Sequence, residues 1–196
     1  MNKSEFMIIT ISGIPSSGKS TIAKMLCTKL GIERKSIGDI IKSMAGDKHI
    51  NDFYRELENN PELEKSIDLE QKRWGESSDD FLIEGRTSFY FMPKHKSYNV
   101  FFDLSLETAA QRAYSKVVAE GANSKYPNKY SSYEEALVKI KERMNLENKR
   151  YKDLYGIDNL DMSNYDLVIN AEGTKEEVLN ELYNAVTKEL ELRKKY

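Results

Sequence analysis

Cysteine, histidine, an excess of either charge and long apolar runs are what this sequence has least of. Each shortage excludes a class of protein. Cys27 is the one cysteine, so neither an intrachain disulfide nor a thiolate zinc site is available. The two histidines, His49 and His95, lie among polar residues without metal-ligand or triad spacing, and no role falls to them. Basic side chains number 30 against 32 acidic ones, for a net charge of −2, which argues against a surface built for nucleic acid or for an anionic membrane. No stretch is long and apolar enough to span a bilayer, and no apolar run of signal-peptide length precedes Gly13. A reducing cytoplasm, no nucleic acid and no membrane are the expectations. There is neither an internal repeat nor a low-complexity tract, and 196 residues suit a single domain, 1–196, with a substantial core and a small mobile appendage.

What the chain does contain is concentrated first in Met7–Leu30. Met7-Ile8-Ile9-Thr10-Ile11-Ser12 has the Ile and Thr content of a buried parallel strand. Gly13-Ile14-Pro15-Ser16-Ser17-Gly18-Lys19-Ser20-Thr21 then satisfies the phosphate-binding pattern G-x-x-x-x-G-K-[ST]. Ile22, Ala23, Leu26 and Leu30 recur at helical spacing, and Gly31 follows as a stop. The glycine-rich turn lets backbone N–H groups converge on an anion, and the helix that opens there adds its positive dipole end. Lys19 supplies a point charge for the terminal phosphates, and the Ser20 hydroxyl is the expected Mg²⁺ ligand. The stretch predicts a bound nucleoside triphosphate.

Further along, Glu33–Ile37 is expected as a short strand and Ile40–Ala45 as a helix. Asn51–Glu58 and Pro61–Trp74 are further helical segments, the second opened by Asn60-Pro61. Phe81-Leu82-Ile83 is a short strand running into Glu84-Gly85-Arg86. Val100–Leu104 is another, and Ser105 caps a helix to about Glu120. Gly121–Ser131 reads as an exposed loop. Ser132-x-x-Glu135 is expected as a capping box opening a long polar helix to about Leu154. Asp166–Asn170 is the last strand, and Thr174-x-x-Glu177 caps the last helix. Strands alternating with helices predict an α/β fold, three layers deep (α/β/α), around a parallel sheet of about five strands. Ligands in such sheets sit beyond the carboxyl ends of the strands, which gathers 13–21, 36–39, 84–86 and 171–174 at one rim.

Arg143, Glu147 and Arg150 are spaced by four and seven residues, which places all three on one helical face. Spacing alone leaves two readings: a clamp whose guanidinium groups are oriented by the carboxylate, or a solvated, salt-bridged face.

The chain resembles the nucleoside monophosphate kinases of the P-loop kinase superfamily, and within them the cytidylate kinases of the short form. The matching stretches are Ile9–Gly13 into the P-loop, Ser36-Ile37-Gly38-Asp39-Ile40, Asn60-Pro61-Glu62 with Ile67-Asp68, and Glu84-Gly85-Arg86. Arg143, Glu147, Arg150-Tyr151-Lys152, Tyr155-Gly156-Ile157-Asp158 and Tyr165–Asn170 follow in the family's order. The resemblance implies transfer of the ATP γ-phosphoryl group to CMP or dCMP with Mg²⁺; a monomer is the expected state. It implies an acceptor-nucleotide subregion at about 36–75 and a lid at about 112–150. Residues 13–21 would take ATP, with Arg112 against it at the lid entrance. Ser36, Asp39, Lys42, Arg86, Arg143, Glu147 and Arg150 would form the acceptor side. Glu84 would hold Mg²⁺ through water, and Lys19, Arg86, Arg143 and Arg150 would carry the catalysis. Residue by residue, Arg86 has an alternative as a surface partner of Glu84, and Ser36 and Asp39 as turn and helix-cap residues.

The chain also departs from the pattern. Lys42 stands where relatives usually carry an arginine, Tyr114 and Ser115 where a second lid arginine is expected, and Ser16 where a glycine is common. Lys125 and Lys129 in the loop are candidate substitutes for the lid charge. A kinase for another monophosphate or small acceptor, and a nucleotide-binding regulatory protein with little turnover, are the alternatives.

Overall fold

The structure, a computed structural model, describes residues 7–46, 59–76, 79–120 and 130–195, together with Phe53, Glu56 and Leu57. Its centre is β1 (Ile8–Gly13), buried at every position. Such a strand needs partners on both edges and helices on both faces. It pairs in parallel with β3 (Phe81–Glu84) on one side and β4 (Ser97–Asp103) on the other. β2 (Glu33–Ser36) and β5 (Leu167–Asn170) add outside these, giving the five-stranded order β2-β3-β1-β4-β5. The chain leaves β1 toward one edge of the sheet and leaves β3 toward the other, so the loops after these two neighbours part from each other and open a crevice between them.

Two apolar clusters cover the sheet. Ile9, Ile11, Leu82, Val100 and Phe102 pack with Leu26 of α1 (Lys19–Leu30), Ala109 and Ala110 of α5 (Leu106–Glu120), Ile140 of α6 (Tyr133–Tyr155) and Leu182 of α7 (Lys175–Lys194). Ile8, Phe81 and Ile83 pack with Ile37 of α2 (Ile37–Ala45), Ile67 of α3 (Pro61–Gly75) and Phe91 of α4 (Ser88–Phe91). Each fully buried Ile, Leu or Phe contributes about 1.5–3 kcal/mol.

The three-layer α/β fold and its five strands agree with the sequence expectation, and the differences have local causes. α2 starts at Ile37, not Ile40, because the Ser36 hydroxyl accepts a hydrogen bond from the Asp39 N–H at 3.2 Å and ends β2 as an N-cap. β4 starts at Ser97, three residues before the apolar run. Its polar Asn99 accepts from Thr10 Oγ1 at 2.9 Å, and buried Arg193 donates to the carbonyls of Lys96 and Ser97 at 3.0 and 2.9 Å. Ser132 caps α6 by accepting from Glu135 N, but the Glu135 carboxylate accepts from the N–H and hydroxyl of Ser131, so the reciprocal box expected there is not formed. At Thr174 and Glu177 the box is complete. The four-residue α4 was not expected. Of the helix expected at Asn51–Glu58, all but Phe53, Glu56 and Leu57 lies outside the described residues, as do 121–129 with Lys125 and Lys129.

Candidate active site

The loop between β1 and α1 is held open by its backbone. Gly13 has φ 141°, and a Cβ there would lie 2.6 Å from the Phe102 carbonyl oxygen of the neighbouring strand, so only glycine fits. Ser16 sits at φ 61°, the left-handed region, at the position where a glycine is common. An L-residue costs about 1–2 kcal/mol there, offset by the entropy a glycine adds to the unfolded chain. Ser16→Gly is therefore expected to stabilise the protein slightly, by about 0.5 kcal/mol, read as a small rise in melting temperature.

Lys19 turns back over the loop. Its ammonium donates to Gly13 O at 2.8 Å, Ile14 O at 2.6 Å and Ser17 Oγ at 3.2 Å. Burial pushes its pKa well below the ordinary lysine value, and the Arg86 guanidinium pushes in the same direction. Arg86 follows β3 and Gly85, and it donates from Nη1 to the same Gly13 carbonyl. The β3 end is tied to β1 by Ser12 Oγ, which donates to Gly85 O at 2.8 Å. Gly85 is needed because a Cβ would drive into Ser88 Oγ and Ile37 Cγ1. Two cations from different elements thus meet at one carbonyl oxygen of the P-loop.

Glu147 organises the next layer. It is 5% exposed; Oε2 accepts from Arg86 Nε and Oε1 from Arg143 Nε, each at 2.8 Å. Burial pushes this carboxyl up, but the two guanidinium groups outweigh it and hold its pKa far below the usual carboxylate range. The face carrying Arg143, Glu147 and Arg150 is therefore not a solvated one, yet its clamp differs from the sequence expectation. The second arginine on Glu147 is Arg86, 61 residues away, while Arg150 lies over the Tyr151 ring with its Cζ 5.1 Å from the centroid.

Glu84, at the end of β3, accepts from Ser20 Oγ at 2.7 Å through Oε2. The alternative pairing of Glu84 with Arg86 does not occur. Its other oxygen accepts from Arg34 Nη1 at 2.6 Å, and Arg34 Nη2 reaches Asp39 Oδ2 at 2.6 Å. Arg34 was not singled out from the sequence; its one signal is a charged residue in a strand that must pack against a helix. A hydroxyl and a carboxylate in contact at the start of α1 are hard oxygen donors that fit Mg²⁺, whose shell is otherwise filled by water and phosphate. Among the described residues no group of three or more His, Cys, Asp or Glu side chains is arranged to hold a metal by itself.

At the residues expected on the acceptor side, Ser36 is buried with its hydroxyl engaged in the α2 cap, Asp39 is paired with Arg34, and Lys42 approaches Asp39 at 3.4 Å. Arg112 is placed elsewhere on the rim. Its Nη2 donates to the Glu172 and Gly173 carbonyls at 3.2 and 3.4 Å, in the loop between β5 and α7. The Glu172 carboxyl is pulled down to about 2 by hydrogen bonds from Thr108 and Ser105. A link also joins α3 to the end of α6: Tyr155 donates to buried Asp68, which also accepts from Gln71 Nε2 at 3.2 Å.

A parallel sheet with this loop at its centre, a lysine turned back over the loop from the first position of α1 and arginines converging from two further elements define a P-loop kinase. Solved structures agree at the level of fold. A shikimate kinase from Aquifex aeolicus covers 92% of this chain and 96% of its own, with TM-score 0.58 and 19% identity. A gluconokinase from Sinorhizobium meliloti covers 96% and 95%, with TM-score 0.55 and 13% identity. The model of the cytidylate kinase-like family matches residues 8–173, and the chain belongs to that family. Its relatives include the cytidylate kinases of Natronomonas pharaonis, 33% identical over 166 residues (84% of this chain, 80% of the relative). That of Methanothermobacter thermautotrophicus is 32% identical over 166 residues (84% and 94%). The protein is an ATP-dependent kinase.

Proposed function

We propose that the protein transfers the γ-phosphoryl group of ATP to CMP or dCMP, with Mg²⁺ bound at Ser20 and, through water, at Glu84. The observation that carries this reading is buried Glu147 holding Arg86 and Arg143 together, with Arg86 and Lys19 sharing the Gly13 carbonyl. One such cluster serves two nucleotides: Lys19 faces the triphosphate, and the arginines face the acceptor's α-phosphate. An acceptor phosphate oxygen bonds to the γ-phosphorus as the bond to the β–γ bridging oxygen breaks, and ADP leaves with that electron pair. The acceptor phosphate is already anionic, so no side chain is required as a base. What this chain supplies is alignment and positive charge in a buried place, where both act strongly. Mg²⁺, when bound, neutralises charge on the β- and γ-oxygens.

The chain acts as one domain. The 36–75 subregion receives the acceptor, and the 112–150 lid closes on it to exclude water. A monomer is the expected state, and a reducing cytoplasm accords with Cys27, buried and with its thiol pushed up to about 11 chiefly by burial. No described helix is long and apolar enough to cross a membrane.

The test is a panel of CMP, dCMP, UMP, AMP and non-nucleotide alcohols with coupled detection of ADP. The expected result is ADP formation with CMP and dCMP at a kcat/KM at least about tenfold above the other acceptors, a discrimination that unpaired polar groups on a wrong base supply. A preference for another acceptor reassigns the substrate. ATP binding without ADP formation from any acceptor overturns the kinase reading in favour of a regulatory protein.

A further inference from the structure

Arg34 belongs to an edge strand, where a charged side chain ordinarily points into water. Here it does not. Its side chain is 16% exposed, and its two terminal nitrogens each hold a different carboxylate at 2.6 Å, Glu84 and Asp39. The register explains the reach. Arg34 lies beside Leu82 and Ser36 beside Glu84, so Arg34 and Glu84 are diagonal neighbours on one face of two paired strands, a separation a long side chain spans. Glu84 is 5% exposed at its side chain, and its two oxygens are divided between Arg34 Nη1 and Ser20 Oγ. A carboxylate this buried has few alternative orientations, and the guanidinium fork sets which oxygen faces Ser20.

We propose that Arg34 is a positioning residue for the divalent cation of the donor site. It fixes Glu84 so that Oε2 faces Ser20, where a cation's hydrating water needs an acceptor, and it anchors that carboxylate to Asp39 at the start of α2. The inference rests on the reading of Ser20 and Glu84 as the Mg²⁺-holding pair. Two effects oppose each other when Arg34 is removed. The loss of a nearby positive charge favours a cation, while the loss of the fork leaves a buried carboxylate oxygen without a donor and removes the contact that selects which oxygen faces Ser20. Orientation wins, because partners behind the direct ligands of a metal change its affinity by about 10–100-fold.

The experiment is a Mn²⁺ titration of the whole protein with ADP, followed by electron paramagnetic resonance, with ADP affinity measured separately in the presence of a chelator. Arg34→Met is expected to weaken Mn²⁺ binding to the ADP complex about tenfold while metal-free ADP affinity stays at the wild-type value. Arg34→Lys keeps the charge, loses the fork and weakens Mn²⁺ by a smaller factor. Unchanged or tighter Mn²⁺ binding in folded Arg34→Met overturns the proposal. If Arg34→Met does not fold, Arg34→Lys decides: wild-type Mn²⁺ affinity in that variant overturns it, and a weakened one supports it. A wild-type protein that takes up no Mn²⁺ with ADP overturns the donor-site reading itself, and the inference with it.

Discussion

Replacing Lys19 by methionine is expected to lower kcat by about 10²–10³-fold, the usual loss when one preorganised donor to developing charge is removed. Stability should change little. The ammonium is buried and held by Gly13 O, Ile14 O and Ser17 Oγ. Burial and Arg86 depress its pKa, so the folded state resists its charge and gains stability as pH rises through the depressed pKa toward the ordinary lysine value of 10.5. Methionine removes that desolvation cost along with the hydrogen bonds, two effects of opposite sign. A coupled ADP assay beside a thermal melt separates the cases. A variant that melts like the wild type but turns over normally removes Lys19 from the mechanism.

Glu147→Gln is expected to damage stability as well as rate. The carboxylate is the one acceptor given to both Arg86 Nε and Arg143 Nε, and an amide keeps the shape without the charge. The guanidinium groups, with side chains 14% and 29% exposed, would then lose the negative charge that lies between them. Removing one partner of a buried ion pair costs about 3–5 kcal/mol; partial exposure of Arg143 favours the lower end, about 3 kcal/mol. For a chain of this size that is a fall of about 6–12 °C in melting temperature. The pH dependence follows from the depressed carboxyl. Its contribution is fully present above the ordinary glutamate value of 4.5 and is lost as pH falls below it toward the folded value. The gap between wild type and variant should therefore be constant from neutral pH down to about 5 and narrow in more acidic solution. A gap that widens in acid would mean that Glu147 is not held as the anion.

The sequence already carried the triphosphate half of this site, because its determinants are contiguous. Gly13, Gly18, Lys19 and Ser20 must lie on one turn between a strand and a helix, and both flanking elements announce themselves by composition and period. The caps at Asn60 and Thr174 were legible for the same reason: each is closed within three residues. The apolar run marks only part of β4, because Ser97 and Asn99 look like loop residues until Arg193 and Thr10 supply their partners from 96 and 89 positions away. Ser36 was ambiguous between strand, base contact and cap, and only the folded backbone assigned its hydroxyl to Asp39 N.

The sequence by itself determined a P-loop followed by alternating strands and helices, and an ordered series of motifs that places the chain among the cytidylate kinase-like proteins. The tertiary structure alone decided the partner of each charge. Helical spacing offered Glu147 to Arg143 and Arg150, and proximity offered Arg86 to Glu84. The sheet order β2-β3-β1-β4-β5 instead brings Arg86 to Glu147 and Arg34 to Glu84. The physical reason is that an ion pair forms where desolvated groups of opposite charge meet across strands and helices far apart in sequence, and local periodicity carries no record of those meetings.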